Sequence, residues 1–366
     1  MTSRIPREAR PTLALVGATG AVGSVMLRVL SHRADVWGEI RLVASPRSAG
    51  RTLSVRGEDT VVQPLSEEVF DGVDVALFDV PGDVAAQWAP VAADRGAVVV
   101  DNSAAFRADP DVPLVVPQVN PAQIRNRPRG IIASPTCATL TMIDALGALH
   151  HGWQLTELDA ASYQAASGAG REGVERLHDE LEAVAGRRDL GHQAGDVRAA
   201  LSDTLGESLP FAAPLALNVV PWVGDSAGDG WTSEELGVRH EARKILGAPD
   251  LRVSATCVRV PVVTAHSVSV HATFAQPITV AEARQALVEA PSVVVLDDPE
   301  QREFPTPADI VGSDPTFVGR MRQAVDFPNT IEMFICADNL RRGAALNSVE
   351  IAELVVADLV PVLTAR

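Results

Sequence analysis

Short apolar runs alternate with glycine-rich turns and helically spaced hydrophobics along the first third of the chain. Thr12 to Val16 reads as a strand, Gly17 to Gly23 as a glycine turn, and Val25, Leu27, Val29 and Leu30 mark a helix. Ile40 to Ala44, Val73 to Phe78 and Ala97 to Val100 read as three further strands. This alternation of buried strand and helix predicts a parallel, doubly wound sheet. Past residue 150 the pattern changes. Leu158 to Tyr163 alternates, runs into Gln164 to Gly170, and is followed by Val174, Leu177, Leu181 and Val184 at helical spacing. Leu251 to Val260 reads as a strand, with Ser267 to Phe274 alternating as a partner strand. Val349, Ile351, Leu354, Val355 and Leu359 predict a packed final helix from Arg342 to Val362. The Gly224-Asp-Ser-Ala-Gly-Asp-Gly230 stretch reads as a mobile surface loop.

The first turn carries a chemical implication. Gly17-Ala-Thr19-Gly20-Ala21-Val22-Gly23 joins a strand to a helix: glycines allow a tight turn, and the helix start offers amides to a pyrophosphate. Gly17, Thr19, Gly20, Ala21, Val22 and Gly23 are therefore candidate dinucleotide contacts. The second strand ends in Ser45-Pro-Arg47-Ser48, with no acid to accept from ribose hydroxyls. An arginine flanked by serines suits a 2′-phosphate, which points to NADP. After the third strand, Asp79-Val-Pro-Gly-Asp83 places two carboxylates where a cofactor phosphate is expected.

Composition narrows the class. The 366 residues, 46% of them hydrophobic, suffice for about two domains. A net charge of −16 argues against nucleic acid and anionic membranes as partners, leaving a small anionic substrate held by local arginines. Three separated cysteines suit a reducing cytoplasm, and no zinc-ligand spacing occurs, so no metal is expected. Met1 to Pro11 lacks the apolar segment of a leader, and no run reaches membrane-spanning length.

Cys137 follows the small-residue turn Ala133-Ser-Pro-Thr136 at the start of an apolar helical segment. Helix-start amides and the dipole favour a thiolate, the form that attacks carbonyl carbon. Arg259 and His266 flank Pro261 near a strand end. An imidazole there could accept the proton of a thiol or of a hemithioacetal hydroxyl, and an arginine could grip a carboxylate.

Together these segments resemble the aspartate-β-semialdehyde dehydrogenases. The likeness rests on Gly17 to Gly23, Ser45 to Gly50, Asp101-Asn-Ser-Ala-Ala-Phe-Arg107, Val115 to Pro121, the Cys137 turn, Tyr163 to Gly170, Arg259 to His266, Thr306-Pro307 and Asp338 to Ser348, in that order. The resemblance implies an α/β fold: a Rossmann-type dinucleotide-binding domain (1–137 and 337–366) and an α+β substrate and dimerisation domain (138–336). It implies NADP-dependent interconversion of an acyl phosphate and its aldehyde through a Cys137 thioester, in amino-acid biosynthesis, by a cytoplasmic homodimer or homotetramer. By the same likeness Gln164 orients the intermediate, His266 is the acid/base group, Arg259 and Glu234 bind substrate, Arg107 holds phosphate, and Gly168 and Asn347 approach the cofactor.

The chain departs from the family pattern at four places. Thr136 replaces an asparagine that donates to the developing oxyanion. Gly237 replaces the lysine of a Glu-x-x-Lys phosphate motif that begins at Glu234. The Asp79–Asp83 loop replaces a small glycine-rich one, and Leu346 replaces a threonine before Asn347. These changes leave open an alternative in which Cys137 serves non-redox acyl transfer, or reduction of a thioester instead of an acyl phosphate.

Overall fold

The computed structural model describes residues 10–33 and 35–363, so most of the Met1 to Pro11 stretch read above for a leader lies outside the described residues. The chain divides into two units. One comprises residues up to Thr136, Lys244–Gly247 and the chain from Arg341 onward; the other comprises Cys137–Arg243 and Ala248–Leu340. Among the described residues, no helix is long and apolar enough to cross a membrane.

The first unit is a parallel sheet of β1 (Leu13–Val16), β2 (Ile40–Ala44), β3 (Gln63–Pro64), β4 (Val75–Phe78), β5 (Val98–Asp101) and β6 (Ile131–Ala133), in the order β3-β2-β1-β4-β5-β6. Every residue of β1 and β4 is buried, which explains why these strands are continuously apolar instead of alternating. The four strands read from the hydrophobic pattern are present, with β1 and β5 beginning one residue later, and β4 two residues later, than the pattern indicates. Helices α1 (Ala21–His32) and α2 (Gly82–Asp94) follow β1 and β4. The last helix, Asn347–Leu363, packs on β4 and β5.

That last helix is not continuous from Arg342, as its spacing predicts. Arg341–Leu346 winds as a wider π turn. The turn carries the buried Arg342 guanidinium, which donates to Glu350 at 2.8 Å and to Gln118 at 2.6 Å. Asn347 consequently stands at a helix start.

The second unit is a mixed sheet of β7 (Leu155–Gln164), β8 (Arg252–Arg259), β9 (His266–Phe274), β10 (Val293–Val295), β11 (Thr316–Gln323) and β12 (Thr330–Ala337), in the order β8-β7-β9-β12-β11-β10. Helix α3 (Cys137–Trp153) packs on β9, β12, β11 and β7. Helices α4 (Gly170–Val184) and α5 (Ser233–Leu246) follow the β7 turn and a short hairpin.

Two expectations are corrected in this unit. Strand β9 is not the partner of β8: β7 lies between them, parallel to β8 and antiparallel to β9. The connection between β8 and β9 crosses the end of β7, where Val262 and Val263 carbonyls accept the Ala166 and Ser167 amides at 2.7 and 3.0 Å. The Gly224–Gly230 stretch, read as a loop, is part of a short hydrogen-bonded hairpin. Ser226–Gly228 pairs with Trp231–Thr232, and Ser233 closes the base through its amide to the Asp225 carbonyl and its Oγ to the Asp225 amide. The glycines and Asp229 supply the positive φ angles that this tight reversal requires.

Candidate active site

The order of strands brings three sequence-distant side chains to one sheet edge. Gln164 and Arg259 end the parallel strands β7 and β8 as register partners, and His266 begins the antiparallel β9 beside them. All three side chains are buried. Cys137 opens α3, which packs on β9 and β7. Its Sγ lies 3.2 Å from Nε2 of His266, and it alone of the three cysteines is not fully buried.

His266 is fixed from both sides. Nδ1 accepts the backbone N–H of Ala165 at 3.0 Å, while Nε2 meets the sulfur. Its pKa lies well below the ordinary histidine range, because burial disfavours the imidazolium and the Arg259 cation repels it. Ala265, the residue before it, holds φ +77°, and its amide donates to Oδ1 of Asn339 at 2.9 Å. Asn339 also exchanges hydrogen bonds with Ser167 at 3.0–3.1 Å. A non-glycine residue in the left-handed region persists only when its surroundings hold it there, and here they aim the ring.

Around this pair stand groups suited to an amino acid. Arg259 donates to the Ala165 carbonyl at 2.7 Å, lies 5.9 Å from the Phe211 ring centroid, and has its pKa lowered by burial. Gly168 faces this guanidinium and the His266 ring. Gln164 donates to Ser162 at 3.1 Å and to Glu234 at 3.4 Å. The neighbouring glutamate is committed elsewhere. Thr232 and Glu235 form a capping box at the start of α5, at 2.9 and 3.3 Å, and Glu235 also takes the Cys257 amide at 3.1 Å. A thiol and a carboxylate thus both lie within electrostatic reach of the Arg259 guanidinium.

Apart from Gly168, the nucleotide candidates lie in the first unit. Gly17 has φ +99°, and a Cβ there would lie 2.0 Å from the Asp79 carbonyl oxygen. A Cβ on Gly23 would lie 2.2 Å from the Gly17 oxygen, so the turn closes only around glycine. Thr19, Gly20, Ala21 and Val22 form the rest of the turn and the start of α1, which has no side-chain cap and no acid in its first turn. Ser45, Arg47 and Ser48 follow β2, the strand beside β1; Ser45 and Arg47 are exposed, and the Ser48 amide closes a turn onto the Ser45 carbonyl at 2.9 Å.

Asn347 donates to Ser134 at 2.9 Å and to the Val115 carbonyl at 3.2 Å, while its buried Oδ1 has no hydrogen-bond partner. An unmatched acceptor fits a ligand carboxamide. The residues therefore fit NADP. Of the two acids after β4, Asp83 is exposed at the start of α2, whereas Asp79 accepts from Asn102 at 3.1 Å and from the Gly23 amide.

Arg107 is held by the Ser134 and Asn102 carbonyls at 2.9 and 2.8 Å. Thr136 is buried directly before Cys137. Lys244, two turns beyond Gly237 on α5, does not substitute for the lysine that the resemblance implies. Its Nζ is engaged by the carbonyls of Arg107, Asp109 and Val112 at 2.7–3.0 Å.

Comparison with known proteins adds to this geometry. Residues 12–127 match the family model of the semialdehyde dehydrogenase NAD binding domain, and residues 146–342 that of the semialdehyde dehydrogenase dimerisation domain. The chain is 43% identical over 352 residues to an aspartate-semialdehyde dehydrogenase of Corynebacterium glutamicum, covering 94% of this chain and 99% of that protein. It is 40% identical over 342 residues to one of Bacillus subtilis, covering 93% and 96%. A crystal structure of aspartate semialdehyde dehydrogenase II from Vibrio cholerae, complexed with ASA, superposes with a TM-score of 0.87 at 36% identity, covering 95% of this chain and 99% of that one.

Proposed function

The chain belongs to the semialdehyde dehydrogenase family, and we propose that it is an NADP-dependent enzyme interconverting β-aspartyl phosphate and aspartate β-semialdehyde. The observation that carries this reading is the 3.2 Å contact between Cys137 Sγ and His266 Nε2, at an edge also lined by Arg259 and Glu234. Near-full-length likeness to aspartate-semialdehyde dehydrogenases favours redox chemistry over non-redox acyl transfer.

In this reading Cys137 attacks the carbonyl carbon. Arg259 grips the substrate carboxylate, Glu234 meets its ammonium, and Gln164 orients the covalent intermediate. His266 serves the substrate oxygen, with Thr136 beside the nucleophile. Arg107 holds phosphate. Gly17, Thr19, Gly20, Ala21, Val22 and Gly23 take the cofactor pyrophosphate, Ser45, Arg47 and Ser48 its 2′-phosphate, and Asn347 and Gly168 its nicotinamide end. When bound, NADP supplies the hydride acceptor, or in reduced form the donor. Capture on sulfur suits both halves of the reaction: the tetrahedral adduct is a better hydride donor than an aldehyde hydrate, and the thioester is activated towards phosphate.

On this reading the protein is a cytoplasmic homodimer or homotetramer in amino-acid biosynthesis, a self-association supported by the match of residues 146–342 to the dimerisation-domain model.

The test is a spectrophotometric assay with aspartate semialdehyde, phosphate and NADP, together with an NADPH binding titration. We expect phosphate-dependent NADPH formation that Cys137→Ser abolishes. Absence of NADPH binding at millimolar concentration would sink the reading.

A further inference from the structure

Resting on that reading, we propose that Arg342 is a positioning residue for the nicotinamide end of the cofactor. With Gln118 and Glu350 it holds the π turn Arg341–Leu346, and through that turn it presents Asn347 Oδ1 as an acceptor to a ligand carboxamide. All four residues belong to the first unit. The orientation of the Asn347 amide follows from its partners. The Val115 carbonyl at 3.2 Å can only accept, so the NH2 group faces it, and the second hydrogen goes to Ser134 Oγ at 2.9 Å. Both donors are thereby spent. Oδ1 is turned away from them, buried and with no hydrogen-bond partner. A buried acceptor left unmatched costs stability until a donor arrives, and a carboxamide NH2 is such a donor.

What holds Asn347 at this angle is the turn before it. A π turn takes one residue more than an α turn, and one residue is about 100° of rotation around a helix. Val349, Ile351, Ala352 and Val355 are buried, so packing fixes the last helix and any slack is taken up in the turn that precedes it. Asn347 stands at that junction. Arg342 closes the junction. Its Nη1 donates at 2.8 Å to Oε2 of Glu350, eight residues on and beyond Asn347, while Nη2 donates at 2.6 Å to Oε1 of Gln118. Gln118 Nε2 completes the triangle by donating to the same Glu350 oxygen at 2.8 Å. Gln118 also lies three residues past Val115, whose carbonyl accepts from Asn347, so one segment is tied to both ends of the turn. A buried guanidinium requires its hydrogen bonds to be made, and making these ones sets the turn. The influence of Arg342 on the cofactor is thus exerted through Asn347.

Arg342→Met in the full chain tests this, because it keeps the apolar stem and removes the donors. Glu350 retains the Gln118 amide and Arg33, 3.6 Å away, so no carboxylate is stranded. Titrations compare NADPH with adenosine 2′,5′-bisphosphate, which carries the adenosine and the 2′-phosphate but no nicotinamide. We expect the NADPH Kd to rise about three- to tenfold, the scale of one neutral hydrogen bond, with the bisphosphate Kd unchanged. A merely structural arginine would move both. Asn347→Ala should show the same split, and adding Arg342→Met to Asn347→Ala should weaken NADPH no further. Gln118→Met, which leaves the Arg342–Glu350 ion pair in place, carries the same comparison if Arg342→Met does not fold. Equal weakening of both ligands, full additivity with Asn347→Ala, or an unchanged NADPH Kd overturns the inference and leaves the dehydrogenase reading intact. A parent chain that binds neither ligand overturns both.

Discussion

Gly168 leaves the space that Nη1 of Arg259 occupies: a Cβ built on this glycine would lie 2.5 Å from that nitrogen and 3.4 Å from Cε1 of His266. The guanidinium is buried and tied to the Ala165 carbonyl, so it cannot swing aside without losing its bond. Gly168→Ala should therefore displace Arg259 while leaving the fold in place, because the clashing atom is the tip of a long side chain. Losing one charge-assisted contact is worth about 1.5–3 kcal/mol, or roughly a tenfold to hundredfold rise in KM for the aldehyde. Steady-state kinetics and an NADPH titration separate the two roles. A rise in KM alone assigns Gly168 to the arginine, and a rise in the NADPH Kd alone assigns it to the cofactor.

The three thiols should differ sharply in reactivity. Burial pushes Cys257 up to about 12 and Cys336 up to about 11, so at pH 8 their thiolate fractions are on the order of 10⁻³ or less. Cys137 is partly exposed at a helix start. Iodoacetamide should add one equivalent to the native chain, located at Cys137 by peptide mass mapping and absent from Cys137→Ser. Two or more equivalents before unfolding would show that burial does not protect the other two.

Much of this arrangement was legible in local pattern. The glycine turn after β1 and the small-residue turn before Cys137 are short-range signals, each set by a few consecutive residues. The meeting of Gln164 with Arg259 was not, because it depends on β7 pairing with β8, and alternation alone does not say which strand lies beside which. Ala265 and Asn339 escaped for a related reason. Nothing in an alanine announces a positive φ, and the asparagine that holds it comes from the end of another strand. The pairing within Gly224–Gly230 is not legible either, because glycine and aspartate mark turns whether or not the turn is closed by hydrogen bonds. Arg342 shows the limit of helical spacing: periodicity places a side chain on a face, but a buried guanidinium with two partners can widen the turn that carries it.

Asp79 sets an electrostatic condition on the nucleotide turn. Its Oδ2 lies 3.5 Å from the Cβ position of Gly20, and its carboxyl accepts from Asn102 and the Gly23 amide. Burial raises its pKa above the ordinary value of 3.8. The folded state therefore holds its proton more tightly than the unfolded chain, and stability falls as pH rises from the ordinary carboxyl pKa to the raised one, then levels. Ionisation also places a negative charge where the cofactor phosphates are expected. Asp79→Ser removes the charge and keeps a hydroxyl acceptor. It should tighten NADPH binding about tenfold at pH 7.5, the scale of one charge contact of about 1.4 kcal/mol, and flatten the fall of affinity with pH. Neighbouring Asp101 is also raised by burial, so the comparison is between variant and parent across pH in fluorescence titrations. Unchanged affinity would place the carboxylate outside the phosphates' reach.

Gly237 lies inside the continuous helix α5, at the position where the family resemblance implies a lysine. A Cβ at this position meets nothing within 4 Å, so the glycine answers no packing demand. Glycine inside a helix is roughly 0.5–1 kcal/mol less favourable than a straight-chain residue, chiefly through backbone entropy. The arginines and the lysine further along the helix are placed otherwise: Lys244 is engaged by three carbonyls, Arg243 donates to the Leu251 carbonyl at 2.7 Å, and the exposed Arg239, two residues on, projects from a different face of the helix. Gly237→Lys should therefore raise the unfolding free energy by that increment, read as a higher urea midpoint, and lower KM for phosphate several-fold, with KM for the aldehyde unchanged. If stability rises and KM for phosphate does not move, the position is a relaxed helix site with no part in phosphate binding. If stability falls, a neighbour occupies the space that the structure leaves open.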